Sequence, residues 1–355
     1  IIGQDLTNFH KPYTALIRNK ITPILLNNTV TGRNISLVIS QDEFKRALNV
    51  IHGEIFGVAK KINIAIFGHG TVGGTLISQI LESTKNIEKR KGIKLNVFAI
   101  ANSKKVLLNK FGISQNWKAT LEDKGQDYKV EDIIAYAKEH HLENLIAIDN
   151  TASSTFIENY ISLAENSFDL ISSNKVANTV SYDFYKKLRK VLKDNQKEYL
   201  YETNVGAGLP LIDTIKLLHL SGENITKIKG VFSGTLSYLF NNFSIENKKF
   251  SEVLQEAIDK GFTEPDPRED LNGNDVGRKL LILARELDLQ NEFEEIQIQN
   301  LIPEALREGS ASDFLKRLSE LDGIYQNIKD AQGPNEVLRY IGELSGDLQQ
   351  DKGKL

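Results

Sequence analysis

Two stretches of this 355-residue chain place chemistry-bearing residues at informative spacing. One is acidic: Gly261-Phe262-Thr263-Glu264-Pro265-Asp266-Pro267-Arg268-Glu269-Asp270-Leu271-Asn272-Gly273-Asn274-Asp275, running on to Lys279. Glu264, Asp266, Glu269, Asp270 and Asp275 fall within twelve residues, a density that suits a ligand carrying an ammonium group. The two prolines predict an extended, non-helical path. A calcium-binding EF-hand does not fit, because the sixth position from Asp270 is Asp275 rather than Gly and the twelfth is Leu281 rather than Glu. Asp275 opens an expected helix to Leu287 with an apolar stripe of Val276, Leu280, Leu283 and Leu287. Lys279 lies four residues on from Asp275 and roughly 70° from the stripe centre, at ~100° per residue. A lysine there, partly desolvated beside a carboxylate, can carry a proton. A solvated i,i+4 ion pair has the same spacing.

The other stretch is Ile64-Ala65-Ile66-Phe67-Gly68-His69-Gly70-Thr71-Val72-Gly73-Gly74, a G-x-G-x-x-G where a strand pattern meets a helix pattern. Gly68 permits a tight turn, Gly70 lets backbone approach a pyrophosphate, and Gly73 lets helix pack on strand. The helix start, at Thr71 and Val72, supplies N–H donors and a positive dipole end. A ligand-free glycine turn would read the same way. The next strand ends at Ala101-Asn102-Ser103-Lys104-Lys105 and offers no Asp or Glu for a ribose 2′-hydroxyl. Ser103, Lys104 and Lys105 can instead meet a 2′-phosphate, which favours NADP with NAD possible; a solvated loop is the alternative.

The elements that must position these residues alternate. Strands are expected at 62–67, 95–101, 145–149, 170–173 and 199–202, with helices at 156–163 and 182–192 between the later ones. That order predicts an α/β fold, a Rossmann-type doubly wound, mostly parallel sheet. Ahead of it, residues 1–58 read as a small α/β module, with a strand over 34–40 and a helix over 42–51. After Asn204, helices at 210–220, 250–258 and 275–287 interleave with strands at 225–232, 296–301 and 339–344, which predicts a second, α+β domain. The tail from Gly346 is polar, without helix or strand signal.

Net charge of −3 and 26% charged residues give no electrostatic grip on nucleic acid. No apolar run is long enough for a membrane span, and Ile1–Asp5 has no leader-like pattern, so a cytoplasmic location is expected. Cysteine is absent, which excludes disulfides and chemistry through a thiohemiacetal. Methionine is absent too, even at position 1. Of the histidines, His10, His52, His140, His141 and His219 have no ligand-spaced partners.

Taken together, Gly68–Gly74, Ser173-Asn174-Lys175, Glu202-Thr203-Asn204-Val205-Gly206-Ala207-Gly208-Leu209-Pro210, Gly230–Thr235 and Glu264–Arg268 through Lys279 resemble homoserine dehydrogenase, in that family's order, over roughly residues 62–345. Residues 1–58 resemble the closing part of an ACT-type regulatory module, as found in bifunctional aspartokinase–homoserine dehydrogenases. The resemblance implies NAD(P)-linked interconversion of L-homoserine and L-aspartate 4-semialdehyde, a step toward threonine and methionine. It implies Lys279 as general acid/base with Asp275 as its orienter, and Lys175 as a second lysine near substrate and nicotinamide. It implies Glu264 and Asp270 as acceptors for the substrate, Gly234 and Thr235 as substrate contacts, and Thr151 as a cofactor contact. Glu202, Val205, Ala207 and Leu209 match a monovalent-cation site, usually sodium; a glycine-rich hinge is the reading without an ion. The domains expected are 1–58, 59–203, 204–325 and a returning segment 326–355. A homodimer or higher homo-oligomer is expected, with a small-molecule substrate as the other partner.

Members of that family continue past 339–344 into a glycine-rich segment that returns to the cofactor domain, so the chain reads as a cut from a longer one. Asn27-Asn28-Thr29-Val30-Thr31-Gly32 stands where relatives carry a Gln-Gly-Ser-Ser-like turn, and threonine feedback is therefore not assumed. The rival readings are a catalytically incomplete amino-acid-binding or assembly module, and another NAD(P) dehydrogenase on this fold, which would lack the Glu264–Lys279 pattern.

Overall fold

The computed structural model describes residues 10–28, 34–56 and 59–355. Ile1–Asp5 and Thr29–Gly32, which carry two of the expectations above, lie outside the described residues. The chain divides into two compact units, one of residues 1–177 and 186–201 and the other of 178–185 and 202–355.

In the first unit, α1 (His10–Arg18), the antiparallel pair β1 (Leu25–Asn28) and β2 (Ile35–Val38), and α2 (Phe44–Phe56) come first. Leu16, Ile21, Ala47 and Val50 form their small core. β3 (Lys60–Phe67), α3 (Thr71–Lys91), β4 (Ile93–Ala101), β5 (Lys105–Leu108), α4 (Trp117–Lys124), β6 (Gln126–Asp127) and α5 (Val130–Glu139) follow. β7 (Leu145–Asp149), α6 (Asn159–Glu165), β8 (Phe168–Ser172), the part of α7 (Tyr182–Asp194) from Lys186 on, and β9 (Tyr199–Leu200) complete the unit. The order of its sheet is β6-β5-β4-β3-β7-β8-β9. β4, β3, β7, β8 and β9 pair in parallel, while β5 and β6 are antiparallel at one edge. The doubly wound expectation therefore holds. The order reverses at β3, between β4 and β7, which makes the carboxyl ends of β3 and β7 the switch point where such sheets bind ligands. Strand interiors such as Ala65, Ile66, Phe98, Ala99 and Ile100 are fully buried, as parallel strands covered on both faces must be.

The second unit is mainly helical. α8 (Leu211–Leu220), β10 (Ile228–Gly230), α9 (Gly234–Ile245), α10 (Phe250–Asp259) and α11 (Arg268–Leu271) lead to α12 (Asn274–Arg285). α13 (Ala311–Lys316), α14 (Asp322–Asp330) and β11 (Gly342–Leu344) end it, with β10 and β11 forming a two-stranded antiparallel sheet. Leu236, Leu239, Phe240, Phe243, Phe250, Leu254 and Tyr325 make a core in which the Phe250 and Tyr325 rings stack at 3.7 Å.

Four expectations are corrected. The strand expected over 225–232 pairs only at Ile228–Gly230, and that over 339–344 only at Gly342–Leu344. No strand forms over 296–301, although its residues alternate. Ile298 there packs against Gly273 and Gly277, close enough that a Cβ on either glycine would sit 2.8 Å from it. The segment's N–H groups go instead to scattered carbonyls, Gln297 to Leu355 and Leu301 to Leu271. The path expected from the two prolines is not extended: the chain bends at Thr263, Pro265 and Asp266 and turns at Pro267, whose αR backbone caps the short helix α11. Among the described residues no helix is long and apolar enough to cross a membrane.

Candidate active site

In the first unit the glycine turn joins β3 to α3. Gly68 has φ +82°, and a Cβ there would lie 2.8 Å from the Asn150 carbonyl carbon and oxygen, so only glycine fits. A Cβ on Gly73 would lie 2.0 Å from the Gly68 carbonyl oxygen. At Gly70 a Cβ would meet nothing within 4 Å. Gly70 is also the N-cap of α3 with no side-chain cap, so the first N–H groups of a 21-residue helix stand uncapped by protein beside open space. That combination of free donors, positive dipole end and a backbone stripped of side chain fits a dinucleotide pyrophosphate.

Thr151 follows the carboxyl end of β7, its N–H bonded to Asp149 Oδ1 at 2.7 Å. Burial pushes the Asp149 carboxyl up, against the lowering by its hydrogen bonds from Thr151, Tyr160 and Asn174. Ser103 and Lys104 form the tip of the β4–β5 hairpin, with Lys105 at the start of β5. Asn102, overlooked in the sequence, organises this tip: its Oδ1 accepts the N–H groups of Lys104 at 2.8 Å and Lys105 at 2.7 Å. Ser103 and Lys104 are exposed, whereas the Lys105 ammonium donates to the Glu122 carbonyl. Lys175 lies between the end of β8 and a 3-10 turn at Val176–Asn178.

In the second unit α12 carries Lys279 and Asp275, whose charged groups meet at 2.5 Å. The helix is buried on more than one stripe: Val276, Gly277 and every residue from Leu280 to Arg285 are buried. Lys279 sits at the edge of that surface with 17% of its side chain exposed. Its Nζ also donates to the Phe232 carbonyl at 2.7 Å, a partner with no sequence signal. An ammonium has three N–H donors. Two are directed by Asp275 and the Phe232 carbonyl, which leaves a third.

The acidic loop does not converge on one point. Asp266 is taken by Arg268, whose guanidinium reaches both its oxygens at 2.6 to 3.0 Å and also the carbonyls of Arg307 and Gly309. Arg268 therefore lowers the Asp266 carboxyl, and the pair fastens the loop rather than binding a ligand. Asp270 accepts the Glu264 N–H at 2.8 Å, and the Thr235 hydroxyl, which donates to the Phe262 carbonyl at 2.6 Å, lies beside it. Burial raises the Asp270 carboxyl, with Asp275 and Glu269 pushing the same way. Thr235, Asp270, Asp275 and Lys279 thus share one locus, and Glu264 is exposed next to it. Gly234 is the first residue of α9, behind the Ser233 N-cap.

Glu202 supplies a different service. Its two oxygens accept the N–H groups of Ile212 at 2.8 Å and Asp213 at 2.9 Å, capping the start of α8. Gly206 and Ala207 turn the following segment through left-handed φ values of 83° and 53°. Among the described residues no group of three or more His, Asp or Glu could hold a metal ion.

The first unit thus has the glycine turn and switch point at which doubly wound sheets hold a dinucleotide, and α12 of the second carries a lysine–carboxylate pair. Two profiles match the sequence: "Homoserine dehydrogenase, NAD binding domain" over residues 68–202 and "Homoserine dehydrogenase" over residues 210–351. The chain belongs to the homoserine dehydrogenase family, whose members are NAD(P)-dependent oxidoreductases. It is 38% identical over 352 residues to a bifunctional aspartokinase/homoserine dehydrogenase of Buchnera aphidicola, covering 97% of this chain and 43% of that one. It is 37% identical over 345 residues to the chloroplastic bifunctional aspartokinase/homoserine dehydrogenase 1 of Arabidopsis thaliana, covering 96% and 38%. The chain thus spans about two fifths of the length of these curated relatives. Among solved structures, a protein of unknown function from Candida auris matches with TM-score 0.72 and 30% identity, over 83% of this chain and 82% of that one. A hyperthermophilic archaeal homoserine dehydrogenase in complex with NADPH shares the fold at TM-score 0.59 and 22% identity, over 81% of this chain and 79% of that one.

Proposed function

We propose that the chain interconverts L-homoserine and L-aspartate 4-semialdehyde with NADP, NAD serving as an alternative cofactor. The observation that carries this is the Lys279 ammonium, aimed by Asp275 and the Phe232 carbonyl, in the same locus as Thr235 and Asp270. When bound, the cofactor supplies or accepts a hydride at the substrate carbon. Lys279 gives its remaining proton to the carbonyl oxygen in reduction and takes it back from the hydroxyl in oxidation. Asp270 and Glu264 accept the substrate ammonium, and Thr235 and Gly234 border it. Lys175 is assigned as the second lysine toward substrate and nicotinamide. Gly68, Gly70, Thr71, Val72, Gly73 and Thr151 hold the dinucleotide, and Ser103 and Lys104 select the 2′-phosphate with Lys105 beside them.

Glu202 and the carbonyls of Val205, Ala207 and Leu209 would hold a monovalent cation, sodium by resemblance. The donor set supports this, since the capping carboxylate keeps further lone pairs and oxygen ligands suit a hard cation. The cation would neutralise Glu202 and brace the segment between it and α8. We also read residues 1–58 as a partial ACT-like module and the protein as a homodimer or higher homo-oligomer, the latter supported by exposed Leu209, Leu217 and Leu220.

The test is spectrophotometric and runs in both directions. NADPH absorbance is followed with aspartate semialdehyde, and NADP reduction with homoserine. Turnover in both is expected; silence in both, with NADPH still bound, would overturn the reading.

A further inference from the structure

Beneath the cofactor end of the first unit lies a polar cluster sealed from water. Asp149 and Ser172, the last residues of β7 and β8, are each 2% exposed, and Tyr160 of α6 is 1% exposed. The Tyr160 hydroxyl bridges Asp149 Oδ2 at 2.7 Å and Ser172 Oγ at 2.9 Å. Asn174 Nδ2 donates to Asp149 Oδ2 at 3.2 Å and to the Ser153 carbonyl at 2.9 Å. Asp149 Oδ1 takes the Thr151 N–H, and Ser172 Oγ takes the Asn174 N–H at 2.9 Å. A buried carboxylate is tolerated only with its lone pairs filled, and here the filling groups belong to two separate loops.

We propose that Asp149, with Tyr160, Ser172 and Asn174, is a positioning device that locks the loop after β7, carrying Thr151, to the loop after β8, carrying Lys175. The inference rests on the dinucleotide reading of the glycine turn. Its reach follows from packing: Asn150 and Thr151 lie so close to Gly68 that a Cβ there would be 2.8 to 2.9 Å from their backbone atoms. The Asn150 N–H also bonds to the Phe67 carbonyl at 2.8 Å. Displacing this loop therefore moves the wall of the pyrophosphate turn. Asp149 touches neither substrate nor cofactor in this scheme; it acts through Thr151, Asn150 and Asn174. Its charge matters, because two donors already converge on Oδ2, and an amide there would place a third donor against them.

The experiment compares Asp149→Asn and Tyr160→Phe with the unaltered chain, and with Ile133→Val as a packing control on α5. Amide exchange is read on residues 149–156 and 172–178 without cofactor, and NADPH affinity by fluorescence. In Asp149→Asn we expect about 10-fold or greater loss both of protection in the two loops and of NADPH affinity, the scale of losing a charge-assisted hydrogen bond. Tyr160→Phe should show a smaller change of the same kind, and Ile133→Val neither. Where turnover is measurable, KM for NADPH should rise more than kcat falls. Unchanged loop protection in a folded Asp149→Asn, or loss of stability with unaltered NADPH affinity, would overturn the inference. If the unaltered chain itself fails to bind NADPH, the cofactor reading fails, and loop protection alone decides whether the lock exists.

Discussion

Gly70 and Gly73 make opposite demands, and replacing each by alanine separates cofactor binding from folding. At Gly73 a Cβ would sit 2.0 Å from the Gly68 oxygen, 2.9 Å from its carbon and 3.2 Å from Asn150 Cβ. Ordinary contact begins near 3.4 Å, so α3 or the turn must move by more than an ångström. Such overpacking costs about 1–3 kcal/mol, so Gly73→Ala should melt well below the unaltered protein and bind NADPH poorly. Gly70 has φ −63°, ψ −158° and open surroundings, which alanine tolerates. Reduced unfolded-state freedom should return about 0.4–1 kcal/mol, and loss of a good N-cap residue should cost about the same. The melting temperature of Gly70→Ala should therefore stay nearly unchanged. Its methyl group would occupy the space assigned to the pyrophosphate, so NADPH affinity should fall by about 10-fold or more, each tenfold being about 1.4 kcal/mol. Thermal melts and fluorescence titration with NADPH measure both quantities. A Gly70→Ala chain that binds NADPH normally would refute the assignment of this turn to the pyrophosphate.

Two further outcomes follow from charges wholly or partly removed from water. Asp270 takes up its proton at a higher pH than an ordinary aspartate, so KM for homoserine should climb as pH falls, starting above the usual carboxylate range, and Asp270→Asn should raise KM throughout and flatten the profile. Arg285 is fully buried and donates to the carbonyls of Asn178 at 2.9 Å and Val180 at 2.7 Å while pairing with Glu292 at 3.1 Å. Arg285→Ala strands those acceptors and should cost about 3–5 kcal/mol in a denaturant titration; a cost within error of zero would contradict the buried-anchor role.

The sheet was legible because parallel strands buried on both faces read as apolar runs, as in Ile62–Phe67 and Leu145–Asp149, and because glycines punctuate the first turn. The helix holding Asp275 and Lys279 was legible from its stripe, although burial on several faces hid how deeply it sits. What escaped was set by partners distant in sequence. The alternation over 296–301 signals an extended chain equally well beside a strand or across a helix, and only the glycines of α12 decide that it is the helix. The Phe232 carbonyl beside Lys279 leaves no trace in residue type, since any residue supplies a carbonyl. Five neighbouring carboxylates looked like one site, but Arg268 withdraws Asp266 for structural use, and only the fold shows that. Asp149 and Tyr160 were passed over because a buried hub has no spacing of its own.

In the proposed reaction Lys279 moves the proton. Stopped-flow measurement of NADPH oxidation with aspartate semialdehyde, for the unaltered chain and Lys279→Ala at equal NADPH occupancy, tests it. General acid catalysis is worth about 10²–10⁴-fold, so a loss of that size is expected in the hydride step, with NADPH affinity retained. A Lys279→Ala chain that oxidises NADPH at the original rate would contradict it.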